Sequence, residues 1–361
     1  MKFKKIIVLV LTLVLVLGLV TGCGGGEATT ENQGNNDGEN QEQPKEKIVI
    51  RWGHFAPPEQ PLEKALQNMA QRISDRTDGQ VEIKSFPASQ LGSIAEQLEQ
   101  LQEGSLQMMY ANASYISQLQ PEFAVFDAPF VFDDIDHARE FSRSDMVQDM
   151  AKTLLNERDI RILDASPIFG PRHLSTKDTL VTKPEDLEGL KIRVHEAETR
   201  VDMIKAWGAS PVVTPTAEMY LSMQTGLAQG QESPLSWQAD NKYWEVQKYV
   251  MLTNHFIQNE MAITNDEFYQ SLPDDIKQIL REETIKLADE VTEMYIEANE
   301  AAKSTLTENG MEIIEDIDRD AFRKATQSMW NKWQDVWGQG AHERVVNRDY
   351  EKLTPEEWQN Y

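Results

Sequence analysis

Cysteine is almost absent from this chain, because Cys23, close to the amino terminus, is the single cysteine among 361 residues. One cysteine excludes a disulfide within the chain and the thiolate clusters that bind structural zinc. The sequence also lacks the HExxH pattern of zinc proteases, the GxSxG turn of serine hydrolases and the Walker phosphate loop. The six histidines show no metal-ligand spacing. These absences predict a protein that is not an enzyme and that holds no metal or cofactor.

Positive charge is also scarce. The chain has 35 Lys and Arg residues against 60 Asp and Glu residues, a formal net charge of −25. Such acidity argues against nucleic acid and anionic lipid as binding partners, since both carry dense negative charge. It also repels an anionic ligand at long range, although salt screens this repulsion beyond about 8 Å. An anion site in this protein therefore requires a local cluster of cations and hydrogen-bond donors.

The amino terminus has the layout of a secretory signal. Lys2, Lys4 and Lys5 precede an apolar run over residues 6–20, and small residues then lead to Cys23. The run is near the lower length limit for crossing a bilayer, so an uncleaved membrane helix is the alternative. The segment around Cys23 resembles the bacterial lipobox, which implies removal of residues 1–22 and lipidation of Cys23. Residues 23–47, rich in Gly, Asn, Gln and Glu, are predicted to form a flexible linker.

From residue 48 onwards, short β-rich runs alternate with helical patterns. Residues 48–52, 81–86 and 106–110 are predicted strands separated by two helices, an order that favours a parallel sheet. The pattern restarts with strands at 161–165 and 191–194 and with a helix that Thr214 is expected to cap. An uninterrupted helical stretch at 273–309 is too long for one small domain. We therefore predict an α/β protein with two lobes, a cleft between them and a long helix spanning both.

A series of short motifs over residues 168–255 is more specific. It comprises IFGPRH at 168–173, KPEDLEGLKIRV at 183–194, GASP at 208–211, EMYL at 218–221, GQESP at 230–234 and TNH at 253–255. FPASQLG at 86–92 and DAPFVF at 127–132 extend the pattern into the first half. Together these motifs strongly resemble the solute-binding proteins of TRAP transporters, the DctP-like family. The resemblance covers essentially the whole body of the chain in the same order.

This resemblance implies a two-lobe periplasmic-binding-protein fold of the class II type that closes on its ligand. We assign lobe I to residues 48–171 and 260–300, lobe II to 172–259 and 301–330, and a C-terminal helical segment to 331–361. The GLKIRV motif places the family's carboxylate-binding arginine at Arg193, and a second ligand-contacting arginine falls at Arg172. A guanidinium group suits this role because its parallel donors match a carboxylate. The alternative for Arg193 is an ion pair on the surface.

Other predicted ligand contacts depend on weaker signals. Ser233 stands where the family motif has an asparagine, and a serine hydroxyl has a shorter reach. Glu196 either accepts hydrogen bonds from ligand hydroxyl groups or pairs with Arg200, four residues later. The remaining candidates are His54, Phe55, Glu96, Asn112, Trp207 and Trp237. For the two tryptophans, packing in the core is the alternative.

The function implied by the resemblance is that of an extracytoplasmic receptor. Such a receptor captures a small organic acid and passes it to the TRAP permease in the cytoplasmic membrane. The expected location is the outer face of that membrane, or the periplasm where an outer membrane exists. Polar groups around the predicted cleft favour a hydroxylated monocarboxylate, such as a sugar acid, over a plain dicarboxylate. Two alternatives stay open, namely a receptor for an ABC importer or sensor kinase and a secreted hydrolase.

Overall fold

The computed structural model describes residues 46–361. The predicted signal segment, Cys23 and all but the last two residues of the predicted linker lie outside the described residues. Across residues 46–361, no helix is both long enough and apolar enough to span a bilayer.

Strands and helices alternate along the described chain. The strands are β1 (Ile48–Gly53), β2 (Val81–Phe86), β3 (Met108–Ala111), β4 (Ile160–Asp164), β5 (Ile168–Thr176), β6 (Lys191–Val194), β7 (Ser210–Val213), β8 (Gly230–Pro234), β9 (Tyr249–Asn259), β10 (Met261–Asn265) and β11 (Glu312–Ile314). The helices are α1 (Pro61–Arg76), α2 (Ile94–Gln102), α3 (Ala113–Ile116), α4 (Ile135–Ser142), α5 (Asp145–Arg158), α6 (Glu198–Ala206), α7 (Met219–Gln224), α8 (Leu235–Asp240), α9 (Asp266–Ser271), α10 (Asp274–Glu308), α11 (Arg319–Trp337), α12 (Ala341–Val346) and α13 (Pro355–Trp358). The predicted α/β class is confirmed.

The first sheet has five strands in the order β2-β1-β3-β10-β4. β1 pairs in parallel with β2 and β3, as the predicted strand–helix alternation requires. β10 comes from a distant part of the chain and pairs antiparallel with both β3 and β4. The sheet is therefore mixed and not purely parallel, because β10 enters it directly from the second sheet instead of through a helical crossover.

The second sheet has six strands in the order β11-β9-β5-β8-β6-β7. β5 lies between β8 and β9 and is antiparallel to both, while β6 runs parallel to β7 and β8. The register between β5 and β8 sets Arg172 opposite Pro234 and His173 opposite Ser233. Residues from two predicted motifs are thereby brought together although about 60 positions separate them.

Two short connections join the sheets, in addition to the long route from β10 to β11 through α9 and α10. The chain passes from β4 to β5 through residues 165–167, and it returns from β9 to β10 through Glu260 alone. The connections touch, because the backbone N–H of Glu260 donates a hydrogen bond to the carbonyl of Pro167 at 2.9 Å. The predicted boundary between residues 171 and 172 falls inside β5, after the chain has already changed sheet. In addition, the 3₁₀ turn Pro121–Asp127 was assigned above to lobe I, but it packs against α6 of the predicted lobe II and against α11. The limits of the two lobes stay a prediction.

The long helix α10 contacts the cores of both sheets, as predicted. Its Leu287 and Val291 belong to the apolar cluster that contains Trp52 of β1. About four turns further along, Leu306 packs in the cluster that contains Val250 of β9. A helix of 35 residues spans about 50 Å, enough to reach along both lobes.

Candidate ligand-binding site

A cleft between the two sheets contains most of the predicted ligand contacts. It is a concave space lined by aromatic rings and a few polar side chains, as is usual for small-molecule sites. Side chains of β5, β6, β8 and β9 form the wall on the side of the second sheet. Residues that follow β1 and β3 form the side of the first sheet, together with side chains of α2, α3, α7, α8 and α10. The predicted contacts that line it are Phe55, Asn112, Arg172, Arg193, Ser233 and Trp237.

Arg193 is a buried cation at the wall of this cleft, with only 1% of its surface exposed. Its Nε and Nη2 atoms donate hydrogen bonds to the main-chain carbonyl of Thr214 at 3.2 and 2.5 Å. Thr214 therefore holds the arginine through its carbonyl oxygen. The prediction that Thr214 caps a helix is wrong, since Pro215 stands at the position before the next helical turn and no side chain caps that turn. Burial lowers the pKa of Arg193 to about 10, which leaves the guanidinium charged at neutral pH.

No carboxylate within residues 46–361 forms a salt bridge with Arg193, and the nearby ones pair with other arginines. A surface ion pair, the alternative considered above, does not describe this buried side chain. A buried charge without a counter-ion is costly, and an anionic ligand in the cleft would offset that cost.

Arg172, on β5, differs from Arg193 in that its charge is already balanced. Its Nε and Nη2 atoms donate to the two carboxylate oxygens of Glu232 at 2.5 and 2.9 Å, and its Nη1 donates to Gln258. Burial raises the pKa of Glu232, but the charges of Arg172 and Arg200 outweigh burial and hold it well below its usual range. Arg172 is therefore held rigidly by its partners while it still borders the cleft.

Arg200 extends this buried cluster. Its Nη1 donates to Glu232 at 3.0 Å and its Nη2 donates to Asp127 at 2.9 Å. Because these two carboxylates occupy Arg200, the predicted alternative in which it pairs with Glu196 is wrong. Three guanidinium groups thus face two carboxylates, and one positive charge remains. That charge lies on the arginine without a carboxylate partner, Arg193.

His195 is a cleft residue that the predicted set did not include. It follows Arg193 by two positions in extended chain, so both side chains point to the same side. Its ring stacks on Tyr115 with a centroid distance of 5.9 Å, and its Nε2 atom is buried without a partner among residues 46–361. Burial, reinforced by the charges of Arg200 and Arg172, holds the pKa of His195 well below its usual range. The ring is therefore neutral and able to bond with a hydroxyl group.

Two further polar atoms on the cleft wall have no partner in the described part of the chain. They are the side-chain oxygen Oδ1 of Asn112 and the hydroxyl of Ser233, both buried. Buried polar groups in folded proteins nearly always form hydrogen bonds. These two atoms are therefore available to hydrogen-bond with a ligand in the cleft.

Aromatic rings form the apolar part of the wall. Phe55 lies 5.7 Å from Phe169 and 5.9 Å from Trp237, measured between ring centroids. Phe169 in turn stacks on Tyr295 of α10 at 4.1 Å. The contact between Phe55 and Trp237 bridges the cleft, because Phe55 follows β1 of the first sheet while Trp237 follows β8 of the second.

Two predicted contacts from the first lobe lie outside the cleft. His54 is fully buried and its Nε2 lies 2.7 Å from a carboxylate oxygen of Glu63 and 3.1 Å from the hydroxyl of Ser85. Glu96 is exposed, and its carboxylate accepts hydrogen bonds from the backbone and hydroxyl of Ser93 at the start of α2. The assignment of His54 and Glu96 to the ligand is corrected accordingly, since each is used by local structure.

Trp207 and Glu196 need a similar revision. Trp207 is packed in the core, where its Nε1 donates to the carbonyl of Phe322 at 3.2 Å and its ring meets His255 edge-on. Core packing, the alternative stated for this tryptophan, therefore applies. Glu196 is exposed and lies at the wider mouth of the cleft, beside Thr216, instead of at its base.

Several residues of the site lie outside the predicted set of ligand contacts. The alternation that joins Arg193 to His195 was visible in the sequence. Glu232 lies next to Ser233 in the GQESP motif, but only its pairing with Arg172 and Arg200 in space shows its role. Gln258, which lines the cleft, had no motif of its own, and only tertiary structure brings it to Arg172. Among residues 46–361, no group of three or more His, Cys, Asp or Glu side chains is arranged to hold a metal ion.

Comparison with known proteins agrees with this architecture. A family model described as bacterial extracellular solute-binding protein, family 7 (DctP) matches residues 52–335. The sialic acid-binding periplasmic protein SiaP of Vibrio cholerae is 29% identical over 275 residues, which cover 75% of this chain and 84% of that protein.

Two solved structures are similar along nearly their whole length. A TRAP periplasmic solute-binding protein from Citrobacter koseri with bound D-glucuronate is 29% identical, with a TM-score of 0.76 and coverage of 83% of this chain and 98% of that one. A TRAP solute-binding protein from Actinobacillus succinogenes with bound L-galactonate is 25% identical, with a TM-score of 0.79 and coverage of 83% and 99%. The chain therefore belongs to the DctP family of extracellular solute-binding proteins and is a solute receptor of the TRAP transporter type.

Proposed function

We propose that this receptor captures a polyhydroxylated monocarboxylate of the sugar-acid class and presents it to a TRAP permease. The observation that carries the proposal is Arg193, a buried guanidinium that lacks a carboxylate partner among residues 46–361. A carboxylate that accepts its free donors gains charge-assisted hydrogen bonds, each contributing about 1.5–3 kcal/mol.

The hydroxyl part of the ligand is inferred from the rest of the wall. Asn112, His195 and Ser233 each present a buried polar atom without a partner in the described chain. A ligand with several hydroxyl groups satisfies these atoms, whereas succinate would leave them unsatisfied. The bound D-glucuronate and L-galactonate of the two similar structures belong to the same chemical class.

Thermal unfolding of the purified protein with a panel of ligands tests this proposal. A ligand at 100 times its Kd adds about 2.7 kcal/mol to the free energy of unfolding, which raises the melting temperature by several degrees. We expect shifts with D-glucuronate or L-galactonate, little shift with succinate and none with neutral galactose. A larger shift with succinate than with either sugar acid would contradict the proposed class, and a shift with galactose would contradict the role of the arginine.

Attachment to the membrane is proposed through a lipid on Cys23, on the basis of the lipobox resemblance. Metabolic labelling with a fatty-acid analogue is expected to tag the wild-type protein, and Cys23→Ser is expected to remove the label and release the protein from the membrane fraction. Labelling that persists in Cys23→Ser would contradict the assignment.

Binding is proposed to occur without chemistry. After incubation with a ligand that shifts the melting temperature, the ligand recovered from denatured protein is expected to have an unchanged mass spectrum. A modified product formed in amounts above one equivalent would favour the hydrolase alternative. Uptake that persists in cells depleted of ATP would separate the TRAP permease from an ABC importer.

A further inference from the structure

Glu260 is a buried acidic residue at the single-residue connection between β9 and β10. Its relative exposure is 0%, and its backbone N–H joins the two connections between the sheets through the carbonyl of Pro167. One carboxyl oxygen, Oε1, accepts a hydrogen bond from Nε2 of Gln258 at 2.8 Å. The other, Oε2, is buried and has no partner within residues 46–361.

This environment does not suit a carboxylate ion. No Lys, Arg or His side chain in the described chain forms a salt bridge with Glu260, because Arg172 and Arg200 are engaged by Glu232 and Asp127. A buried ionised carboxylate needs several donors or a counter-ion, and Glu260 has one clear donor. Burial accordingly raises the pKa of Glu260 to about 8, despite the opposing effects of Gln258, Asn112 and the two arginines.

Gln258 connects this carboxyl group to the ligand site. Its Oε1 accepts a hydrogen bond from Nη1 of Arg172, and its Nε2 donates to Glu260, so the orientation of the amide is set from both ends. Gln258 itself lines the cleft. Asn112, also on the cleft wall, interacts with Glu260 through its side chain and has an Oδ1 atom without a partner in the described chain.

We propose that Glu260 is a positioning residue that acts as an uncharged carboxylic acid, orients Gln258 and Asn112, and leaves the cleft with one net positive charge that matches a monoanion. This inference rests on the proposed function, because it deepens the selectivity of the same site. The proton lies on Oε2, the carboxyl oxygen that has no partner within residues 46–361, and it makes the group a hydrogen-bond donor. Ionisation of Glu260 would add a negative charge beside an anionic ligand and cancel the excess charge of the arginine cluster.

None of the titratable groups that face Glu260 provides a free positive charge that would stabilise an ionised carboxylate in place of the proton. Three are tyrosines, whose phenol groups are neutral and whose pKa values burial raises, while the cations are the two arginines already engaged by carboxylates. These groups come from β3, α3, β5, α6 and α10, and they are Tyr110, Tyr115, Arg172, Arg200 and Tyr295.

The variant Glu260→Gln tests the proposal, because it keeps the shape and removes the titration. An acid whose pKa is higher in the folded than in the unfolded protein stabilises the fold relative to the unfolded chain at low pH and loses that contribution as pH rises to the folded pKa. Without ligand, the melting temperature of the wild type is therefore expected to fall relative to that of Glu260→Gln between about pH 4.5 and 8. The exposed Glu99→Gln variant is the control and is expected to follow the wild-type curve. Parallel curves for wild type and Glu260→Gln would overturn the proposal.

Calorimetry with D-glucuronate as the probe tests the effect on the ligand. Wild-type affinity is expected to fall about tenfold from pH 7 to 9, and binding at pH 8 is expected to take up a fraction of a proton, measured in buffers of different ionisation enthalpy. Glu260→Gln is expected to bind as tightly as wild type at pH 7, with no proton uptake and a flat profile. Weak binding by a folded Glu260→Gln at pH 7, or the same profile in both proteins, would overturn the proposal.

Two outcomes separate this proposal from the proposed function. If D-glucuronate binds neither protein, the sugar-acid assignment fails, while the ligand-free melting curves still decide the protonation of Glu260. If Glu260→Gln does not fold, infrared difference spectra of the wild type decide it instead. A protonated-carboxyl band present at pH 7 and lost by pH 9 supports the proposal, and the absence of that band at pH 7 overturns it.

Discussion

Arg193 and Thr214 are joined by two hydrogen bonds from the guanidinium to one main-chain carbonyl, at 3.2 and 2.5 Å. A carbonyl oxygen orients the arginine without neutralising its charge. The neighbouring Arg172, by contrast, is neutralised by a bidentate pair with Glu232. On this difference we base the proposal that Arg193 anchors an anionic ligand, while Arg172 belongs to the framework around it.

Replacement of Arg193 by methionine is expected to separate binding from stability. Arg193→Met should weaken sugar-acid binding by about 100-fold or more, since charge-assisted hydrogen bonds are lost. The ligand-free melting temperature should not fall, because an apolar side chain of similar length replaces a buried cation that lacks a carboxylate partner. Calorimetry and thermal unfolding measure the two effects. Arg323→Met, at an exposed position, serves as the control, and undiminished binding by Arg193→Met would refute its role as the anchor.

Replacement of Glu232 by glutamine is expected to show the opposite pattern. This carboxylate pairs with both Arg172 and Arg200, and its loss leaves two buried cations with too few partners. Glu232→Gln should lower the free energy of unfolding by about 3–5 kcal/mol, as measured by chemical denaturation. Glu82→Gln, which removes an exposed partner of Lys47, should cause no measurable change. A stability of Glu232→Gln equal to wild type would show that the cluster is not a structural network.

Ser233 is expected to contribute to selectivity and not to folding. Ser233→Ala removes a buried hydroxyl that has no partner in the described chain, so the melting temperature without ligand should not decrease. Affinity for a hydroxylated acid should fall roughly 2- to 10-fold, the effect of one neutral hydrogen bond. Affinity for succinate should stay constant. Equal losses for both ligands would indicate a general disturbance of the cleft.

The two tryptophans considered as site residues should respond differently to substitution. Trp237 lines the cleft, so ligand binding should change its fluorescence, and Trp237→Phe should remove most of that change. Trp207→Phe should keep the fluorescence response but lower the melting temperature, because it loses volume in the core and a hydrogen bond to Phe322. Fluorescence titration and thermal unfolding of both variants distinguish them. A ligand response that survives in Trp237→Phe and vanishes in Trp207→Phe would reverse the assignment.

Acid should weaken the contact between α1 and α10 through Glu283. Burial raises the pKa of Glu283, but hydrogen bonds from Lys286, Arg72 and Arg76 outweigh burial and lower it to about 2. A carboxyl group with a depressed pKa in the folded protein stabilises it above about pH 4.5, and this contribution is lost as pH falls towards 2. Glu283→Gln should therefore cost up to about 3 kcal/mol of unfolding free energy at pH 7 and progressively less below pH 4.5. A constant difference across this pH range would contradict the ion-pair origin.

The places where sequence patterns misled are informative. The turn after β1 and the start of α2 both carry polar residues, and the family resemblance assigned His54 and Glu96 to the ligand. In the folded chain His54 meets Glu63 and Ser85, while Glu96 completes a helix cap that Ser93 begins. A polar residue at a predicted loop has several local uses, and the pattern by itself does not choose among them.

The sequence by itself determined the alternation of strands and helices, the long helix α10 and the family, because hydrophobic periodicity and short motifs encode local conformation. The family resemblance also predicts Arg193 as the ligand-binding arginine. Only the tertiary structure decided which charges are balanced. The pairs Arg172–Glu232 and Arg200–Asp127 join residues 60 and 73 positions apart, and their formation leaves Arg193 without a carboxylate partner in the described chain. Electrostatic balance depends on distances and burial in space, and spacing along the chain does not contain that information.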